Sequence, residues 1–427
     1  MEFTEDFALE ADENDPLKSF RDKFYIPQQT GYDVVYFCGN SLGLQPKNLG
    51  KYIQAELEIW ANLGVEGHFN TGESTLPGGQ EITAGNWFAY HEQFAEPLAK
   101  IVGALPSEVV VMNQLTVNLQ LLLTSFYRPT KERFKIICEK KPFPSDDYAL
   151  ESQVRLHGFN PEEAIIEVDY SEGYYIATQK IIDAINTHGP QLALVMIGGV
   201  NYYTGQLYNM SAITTAAHSV GAFAGYDLAH AAGNVELNLH NWGADFACWC
   251  SYKYMNSGPG GVAGAFVHQK HHASNLPRLA GWWGHKKEER FKMEKGFQPI
   301  ESAEGWQLSN APILSMAAHK AAIDIFDDAG MQNLIAKSKA LTGYLEFCLN
   351  EINKGTFKII TPANPAERGC QLSLLFNENG RKVFDKLTQS GIIADWRNPN
   401  VIRIAPVPLY NSFTDVYRFA QTVKEAI

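Results

Sequence analysis

The sequence predicts an α/β fold in two parts: a large domain built on a mostly parallel sheet flanked by helices, and a smaller α+β domain. Short apolar segments alternate with longer helical patterns through the middle of the chain. These segments lack a period of two, as expected for strands covered on both faces. The length of 427 residues is too great for one simple core.

The alternation that defines the large domain runs from residue 108 to residue 267. The predicted strands are residues 108–112, 135–138, 164–168, 192–197, 222–226, 246–250 and 262–267. The predicted helices are residues 117–126, 145–158, 178–187 and 211–219. Strands and helices repeated in this order form βαβ units, which produce a parallel sheet.

The last third of the chain has a different pattern. It predicts two long helices over residues 313–326 and 331–351, then strands at 358–360, 371–376 and 401–405, a helix at 381–391 and a closing helix from 414. The large-domain pattern begins only with a helix from about residue 46. We therefore expect a large domain over 46–330, and a small domain formed by 1–45 plus 331–427.

Composition excludes several classes of partner. The net charge of −12 disfavours nucleic acid and anionic membranes. The acidic start of the chain lacks the pattern of a signal peptide, and no apolar run is long enough to cross a membrane. The six cysteines show neither CxxC nor zinc-site spacing, so we expect a cytoplasmic protein with reduced thiols and no metal.

The most specific chemistry comes from one lysine and one aspartate. Lys253 follows an apolar strand and precedes a glycine-rich turn, and Asp227 ends another apolar strand. A pyridoxal phosphate (PLP) enzyme needs a lysine amine to bind the cofactor aldehyde. It also needs a buried carboxylate to keep the pyridine nitrogen protonated, so that the ring accepts electrons. Either residue alone has an ordinary structural explanation, but together they predict a PLP site.

Other polar and aromatic residues also follow predicted strands. Thr116 opens a helix whose N-terminus suits a phosphate, although a plain N-cap would look the same. Phe143 could stack on a planar ring, and Asp146 could be a second carboxylate near it or merely a helix-dipole partner. Ligands of parallel sheets bind at the carboxyl ends of the strands, so these residues point to the same site as Lys253 and Asp227.

Longer motifs make the prediction more specific. They are YFCGNSLGLQP at 36–46, LTVNL at 115–119, FPSD at 143–146, YDLAHA at 226–231, SYKYMNSGPGG at 251–261, GWWGH at 281–285 and RIAPVPLYN at 403–411. Taken together, they resemble the kynureninase family, fold-type I PLP enzymes of the aspartate aminotransferase superfamily. The resemblance spans nearly the whole chain, from about residue 36 to residue 419.

The resemblance implies an activity and an assembly. The activity would be hydrolysis of L-kynurenine, or 3-hydroxy-L-kynurenine, to L-alanine and anthranilate or 3-hydroxyanthranilate, in tryptophan catabolism or NAD biosynthesis. The protein would be a homodimer whose two active sites are shared between the subunits, acting on a small-molecule substrate.

The resemblance also assigns residues. The implied catalytic residues are Lys253, Tyr252 and Asp227. The implied cofactor contacts are Leu115, Thr116, Phe143, Asp146, Gly198, Asp227, His230, Tyr252, Lys253, Trp282 and Asn310, of which Trp282 and Asn310 would come from the neighbouring subunit. The implied substrate contacts are Arg403, Ser41, His68 and Asn310.

Arg403 has a physical argument of its own. An amino-acid substrate carries an α-carboxylate, which a guanidinium binds through two parallel hydrogen bonds better than a lysine amine does. Superfamily members place such an arginine in the small domain. We choose Arg403 over Arg397 because it lies in a strand-like segment within the RIAPVPLYN motif.

Two other functions compete with this prediction. A cysteine desulfurase or selenocysteine lyase on the same fold needs a nucleophilic cysteine on a mobile loop. The candidate, Cys370, enters an apolar strand and should be buried and inert. A PLP-free binding protein of similar fold is disfavoured because Lys253 and Asp227 are both present.

Overall fold

A computed structural model of the chain describes residues 1–69, 73–75, 81–83, 86–171 and 173–427, with only the backbone described at 73–75 and 81–83. The central sheet has seven strands: β1 (Val109–Val111), β2 (Lys135–Glu139), β3 (Ile165–Val168), β4 (Leu192–Gly198), β5 (Phe223–Asp227), β6 (Phe246–Cys250) and β7 (Ala263–Val267). Their spatial order is β1-β7-β6-β5-β4-β2-β3. β7 runs opposite to the other six strands, which are parallel to one another. This confirms the predicted mostly parallel sheet.

Helices cover both faces of this sheet and continue into the last third of the chain. The α-helices of the described residues are Glu5–Glu13, Leu49–Leu63, Ala95–Val102, Leu115–Phe126, Pro144–Leu156, Pro161–Ala164, Thr178–His188, Met210–Ser219, Leu239–Trp242, Ile313–Ala329, Met331–Ile352, Gly380–Gln389 and Phe413–Ala426. Each helix predicted between two strands is present, because its apolar positions recur at helical spacing between turn residues.

A second, antiparallel sheet is formed by β8 (Phe357–Ile359), β9 (Leu372–Phe376), β10 (Asp395–Arg397) and β11 (Val401–Ile404), in the order β8-β9-β11-β10. In its register Asp395 lies opposite Arg403. Since side chains alternate between the faces of a strand, Asp395 and Arg397 share one face and Trp396 takes the other. Trp396 packs against the apolar core beneath this sheet.

Three pairs of short strands complete the described sheet structure. Val35–Tyr36 pairs in parallel with Ile392–Ile393, Gln28–Gln29 pairs with Tyr32–Asp33, and Glu73–Thr75 pairs with Glu81–Thr83. The first of these attaches the N-terminal segment to the last part of the chain.

The apolar interior divides between the two sheets. One core lies beneath the small sheet and includes Leu345, Leu374 and Phe419, while two other cores cover the faces of the central sheet, and one of these is the largest of the three. Residues 1–45 contribute to the cores of both sheets. Phe37 packs in the core of the small sheet, and Phe24 packs in a core of the central sheet. The division at residues 45/46 and 330/331 stays a prediction, which the separate cores support. None of the described helices is long and apolar enough to span a membrane.

A buried carboxylate ties the layers of the large domain together. Asp245 precedes β6 and is 1% exposed. Its Oδ2 accepts from the Ala224 amide at 2.7 Å and lies 2.8 Å from His218 Nε2. Its Oδ1 lies 2.8 Å from both His271 Nε2 and Lys270 Nζ. The one side chain thus connects β5, the helix Met210–Ser219 and the segment after β7.

Replacing Asp245 with alanine should lower the free energy of unfolding by about 3–5 kcal/mol, because it leaves buried donors without an acceptor. Burial alone would raise the pKa of Asp245, but His218, His271 and Lys270 outweigh it and lower that pKa. The stabilisation should therefore be complete above the unfolded aspartate pKa of about 4, and be lost as the pH falls below it. Urea denaturation between pH 3 and 7 measures both effects. Asp385→Asn, at an exposed ion pair, is the control, and equal losses in the two variants would contradict the argument.

Candidate active site

The carboxyl ends of four neighbouring parallel strands form one wall of a cavity. These strands are β2, β4, β5 and β6, which end at Glu139, Gly198, Asp227 and Cys250. The cavity is lined by Leu115, Thr116, Glu139, Phe143, Ser145, Asp146, Gly198, Val200, Tyr202, Asp227, Ala229, His230, Cys250, Tyr252 and Lys253. The structure therefore brings together nine of the predicted cofactor residues, all except Trp282 and Asn310.

Lys253 lies just beyond the end of β6, with its amine inside the cavity. Its Nζ lies 3.1 Å from His230 Nε2 and 5.7 Å from the centre of the Phe143 ring. The pKa of His230 lies well below its usual range, mainly because the ring is buried and to a smaller extent because of the charge of Lys253. The imidazole is therefore neutral at neutral pH and can accept a hydrogen bond from the lysine amine.

Two buried carboxyl groups, those of Asp146 and Asp227, also line the cavity. Asp227 Oδ1 accepts from the Ala229 amide at 2.6 Å. Burial raises the pKa of both Asp227 and Asp146, and the adjacent Asp227 charge raises that of Asp146 further. Two carboxylates this close cannot both ionise easily, so Asp146 holds a proton and Asp227 carries the negative charge.

A third carboxyl group, Glu139, lies at the end of β2. It accepts from the Gly198 amide at 3.1 Å, and burial raises its pKa to about 7. A β-carbon at position 198 would lie 3.0 Å from Glu139 Oε1, so glycine at this position leaves room for the carboxyl group. The buried carboxyl groups of this wall therefore cannot all be ionised unless a cation lies near them.

The other side of the cavity suits an anion. Leu115 and Thr116 begin the helix Leu115–Phe126, and the residue before it, Gln114, makes no side-chain capping bond. The first amide groups of this helix are therefore available to an anion, which the helix dipole favours. The Thr116 hydroxyl lies 3.4 Å from that of Ser145, so both can contribute to the same site.

These features fit PLP. Within the described part of the chain, the buried atoms Asp146 Oδ1 and His230 Nδ1 have no hydrogen-bond partner, although both residues line the cavity. Buried polar groups are normally paired, so their partner is expected to be a ligand. Asp227 would hold the pyridine nitrogen, Lys253 the aldehyde, Phe143 the ring face, and the helix at Leu115 and Thr116 the phosphate.

Tyr252 also lines the cavity, beside the lysine. The Lys253 amine lies 6.0 Å from the centre of its ring. Burial raises the pKa of Tyr252 above its usual range, so the phenol stays protonated at neutral pH. It is therefore placed to donate a proton or a hydrogen bond near Lys253.

The predicted substrate residues lie outside this cavity. Arg403 is buried on β11, with its Nη1 donating to the Tyr202 carbonyl. Ser41 lies near it, since its hydroxyl donates to Asp395 at 3.0 Å. His68 is separate from both and packs on the rings of Trp87 and Phe88.

The two residues predicted to come from a neighbouring subunit are exposed and lie away from this chain's own cavity. Trp282 is 41% exposed, and its indole donates to the Arg290 carbonyl at 3.0 Å. Asn310 lines a different depression, near the start of the helix that begins at Leu115.

Sequence reasoning did not assign six cavity residues: Glu139, Ser145, Val200, Tyr202, Ala229 and Cys250. Ser145 and Ala229 lie within motifs that the sequence analysis singled out. Glu139 was one residue beyond the predicted end of its strand, and the strand-end rule that found Asp227 would have found it. Tyr202 lies in the connection after β4, where no local pattern indicates that the chain turns back over the cavity.

The Lys253 turn is also held by the N-terminal segment. The Gly43 amide donates to the Tyr252 carbonyl at 2.8 Å. A β-carbon at position 43 would lie 2.3 Å from the Lys253 carbonyl oxygen, so the approach requires glycine. This contact explains why a glycine-containing motif at 36–46 accompanies the lysine motif.

Comparison with known proteins gives one family. The model of the kynureninase C-terminal domain matches residues 334–423. A protein named kynureninase from Flavobacterium psychrophilum is 54% identical over 99% of this chain and 98% of its own length. The kynureninases of Christiangramia forsetii and Myxococcus xanthus are each 52% identical, over 100% and 99% of this chain and 99% and 97% of their own lengths.

Solved structures show the same fold at low sequence identity. The cysteine desulfurase CsdA of Escherichia coli matches with a TM-score of 0.75 and 16% identity, over 96% of this chain and 98% of its own. A C-DES variant with glycine covalently linked to its PLP cofactor matches with a TM-score of 0.74 and 16% identity, over 91% and 96%. The predicted fold-type I architecture is therefore confirmed.

Replacing Lys253 with alanine should abolish the visible absorbance band of the cofactor and the covalent link that borohydride reduction traps, while PLP still binds without a covalent bond. The amine is the only nucleophile lost, and the carboxyl pair and helix N-terminus remain. Mass spectrometry of the reduced protein and a PLP titration of the apoprotein measure the two effects. Lys100→Ala, at an exposed lysine, should keep the link. A reduced adduct in the Lys253→Ala protein would show that another lysine carries the cofactor.

Proposed function

The chain belongs to the kynureninase family, so it is a PLP-dependent hydrolase that converts L-kynurenine to L-alanine and anthranilate; on this premise we propose that Lys253, Tyr252 and Asp227 are its catalytic residues. One observation carries the assignment: Asp227 ends β5, Lys253 follows the adjacent strand β6, and both line the same cavity. We also propose that 3-hydroxy-L-kynurenine is a substrate.

Bound PLP supplies an electron-accepting ring that stabilises negative charge next to the substrate nitrogen. Asp227 holds the ring nitrogen in its protonated form, and the proton on Asp146 prevents a second negative charge beside it. Because both carboxyl groups are buried, their interaction with a cationic nitrogen is stronger than it would be in water.

Lys253 moves the proton at the substrate Cα. A lysine that acts as a base must be neutral, and His230 Nε2, at 3.1 Å from Nζ, is placed to accept a hydrogen bond from the amine and so orient it. The neutral state of His230 makes it an acceptor rather than a competing cation.

Tyr252 serves the second half of the reaction. Hydrolysis adds water to the side-chain ketone carbon and breaks the bond between Cβ and Cγ. The Tyr252 phenol, protonated at neutral pH, donates its proton to the ketone oxygen as water adds. It takes a proton back from the hydrated ketone as the Cβ–Cγ bond breaks, and then gives that proton to Cβ. Removal of the hydroxyl should therefore slow steps after Cα deprotonation more than that deprotonation itself.

We propose that Arg403 binds the substrate α-carboxylate, and that Ser41, His68 and Asn310 contact the aromatic end. The nearness of Arg403 and Ser41, whose Nη2 and Oγ lie 3.4 Å apart, supports one continuous substrate site. Gly198 would act through the shape of the cavity wall, because its amide holds Glu139.

The activity test also separates this function from a cysteine desulfurase. Cys370 is fully buried, and burial raises the pKa of its thiol to about 12, so it is a poor nucleophile. Cys370→Ala should keep most of the kynurenine turnover, with a stability loss of about 1–3 kcal/mol from the small cavity. Release of fluorescent anthranilate and 3-hydroxyanthranilate from the two kynurenines measures the activity. Sulfide released from cysteine by the wild type, and abolished in Cys370→Ala, would contradict it.

We propose a homodimer with shared active sites. An apolar surface supports it: Phe69, Trp282, Phe291 and Met293 are 60%, 41%, 56% and 70% exposed, and the Trp282 and Phe291 ring centres lie 5.4 Å apart. Exposed aromatic residues clustered in this way are typical of protein interfaces. Trp282 and Asn310 would enter the neighbouring cavity across a two-fold axis.

Mixing inactive Lys253→Ala chains with inactive Trp282→Ala chains should restore activity. In a mixed dimer one site receives the intact lysine of one chain and the intact tryptophan of the other. Turnover after subunit exchange, at up to about a quarter of wild type for random pairing of subunits, measures the effect. Mixing Lys253→Ala with Asp227→Ala chains is the control and should restore none if both residues serve the same site. A fully active monomer in sedimentation would exclude the shared site.

We further propose a cytoplasmic location and a role in tryptophan catabolism or NAD biosynthesis. All six cysteines lie among the described residues, are buried and are unpaired, which suits a reducing compartment. The pathway follows from the chemistry of the substrate and products.

A further inference from the structure

The guanidinium of Arg403 is already bound to a carboxylate of its own chain. Its Nε donates to Asp395 Oδ1 at 3.0 Å, and its Nη2 lies 2.9 Å from Asp395 Oδ2. This is the two-point geometry with which an arginine binds a substrate carboxylate. The pairing comes from the sheet register, since Asp395 and Arg403 are direct cross-strand neighbours on β10 and β11.

The remaining donors of Arg403 are nearly all used as well. Nη1 donates to the Tyr202 carbonyl, and Nη2 lies 3.4 Å from the Ser41 hydroxyl. An arginine has five N–H donors, so at most one is left. The Arg403 side chain is 1% exposed, and Arg403 does not line the cavity around Lys253. A substrate carboxylate must therefore replace contacts that already exist.

Asp395 has a second cationic partner that can keep its charge paired. Arg397 Nε lies 2.8 Å from Asp395 Oδ1, and Arg397 Nη2 donates to Oδ2 at 3.2 Å. Burial alone would raise the pKa of Asp395, but Arg403 and Arg397 outweigh it and lower that pKa, so the group is ionised. Two arginines against one aspartate leave one uncompensated positive charge, which suits a ligand with one further carboxylate.

We propose that Asp395 is an internal competitor for the substrate α-carboxylate, and that Arg397 retains Asp395 when the substrate takes Arg403. This inference rests on the proposed role of Arg403. Asp395 would weaken the binding of every ligand that carries an α-carboxylate, including the product L-alanine. An unopposed buried arginine would hold that product tightly, so the competition favours product release.

The positions of these residues would allow a substrate carboxylate to replace Asp395 at Arg403. Asp395 lies on β10, the edge strand of the small sheet, and its side chain is 15% exposed. The Arg397 side chain is 36% exposed, so it can move together with Asp395 and remain in contact with solvent. The contacts from Arg403 to Tyr202 and Ser41 are to neutral oxygens, which a carboxylate displaces readily.

The test compares two ligands that differ only in the carboxylate: L-alanine and ethylamine, bound to the holoenzyme and measured by calorimetry. The ratio of their dissociation constants is the preference for the carboxylate. Asp395→Asn should increase this preference roughly threefold to thirtyfold, since removing a nearby like charge is worth about that much near a protein surface. Arg397→Met should reduce it by a similar factor, because Asp395 then loses the second arginine that can keep its charge paired.

The matched controls are Asp385→Asn and Arg381→Met. These residues form an exposed aspartate–arginine pair in the same domain, with Nε and Oδ1 2.9 Å apart, and should leave the preference unchanged. Kinetics provide a second measurement: Asp395→Asn should lower the KM for L-kynurenine, and should lower kcat where alanine release limits turnover.

Three outcomes are distinguishable. If Arg403→Met leaves the preference unchanged, the proposed role of Arg403 is wrong. If Arg403→Met abolishes the preference, but Asp395→Asn lowers it or leaves it unchanged, Asp395 only orients Arg403 and the competition is refuted. Urea denaturation checks that each variant folds; if Asp395→Asn does not fold, Arg397→Met decides, and an unchanged or larger preference overturns the inference.

Discussion

The site depends on one constraint: four neighbouring strands must run in parallel, so that their carboxyl ends meet at one edge. The register places Asp227 beside Gly198 of β4 and beside Cys248 of β6. Because the sheet is covered on both faces, the carboxyl groups and the imidazole at this edge (Glu139, Asp146, Asp227 and His230) are buried. Burial then determines their chemistry, raising the pKa of the carboxyls and lowering that of His230.

Near this edge the small domain makes polar contacts in addition to the apolar core that it shares with the large domain, to which Cys370, Ala405 and Tyr410 belong. Thr361, Ser373 and Arg403 each donate a side-chain hydrogen bond to a backbone carbonyl of residues 202–204. Such contacts have direction and a modest net free energy, so they orient the small domain at this edge while the shared apolar core holds it in place. A ligand that offers a carboxylate can compete with them, which an apolar interface would not allow.

Much of this could be predicted from the sequence, for a definite physical reason. Most strands of the large domain are buried and read as continuous apolar segments, so their ends, and with them Lys253 and Asp227, could be located. The edge strand β10 could not, because Asp395 and Arg397 are polar and only the backbone pairing with β11 makes them part of a sheet. Asp395, the carboxylate that pairs with Arg403, can therefore be identified only from the strand register. The choice of Arg403 over Arg397 needed only the motif. The domain boundaries are the least certain part of the prediction, since Phe24 and Phe37 enter different cores.

The N-terminal segment has its partners far along the chain. Val35 pairs with Ile392, and the Gly43 amide is bonded to the Tyr252 carbonyl. During synthesis, this segment emerges first and has no strand to join until nearly all of the chain has been made. Contacts so distant in sequence slow folding and leave the segment exposed in the meantime. The turn that carries Lys253 thus acquires its final support late, and a chain shortened before residue 392 would lose the partner of the strand Val35–Tyr36.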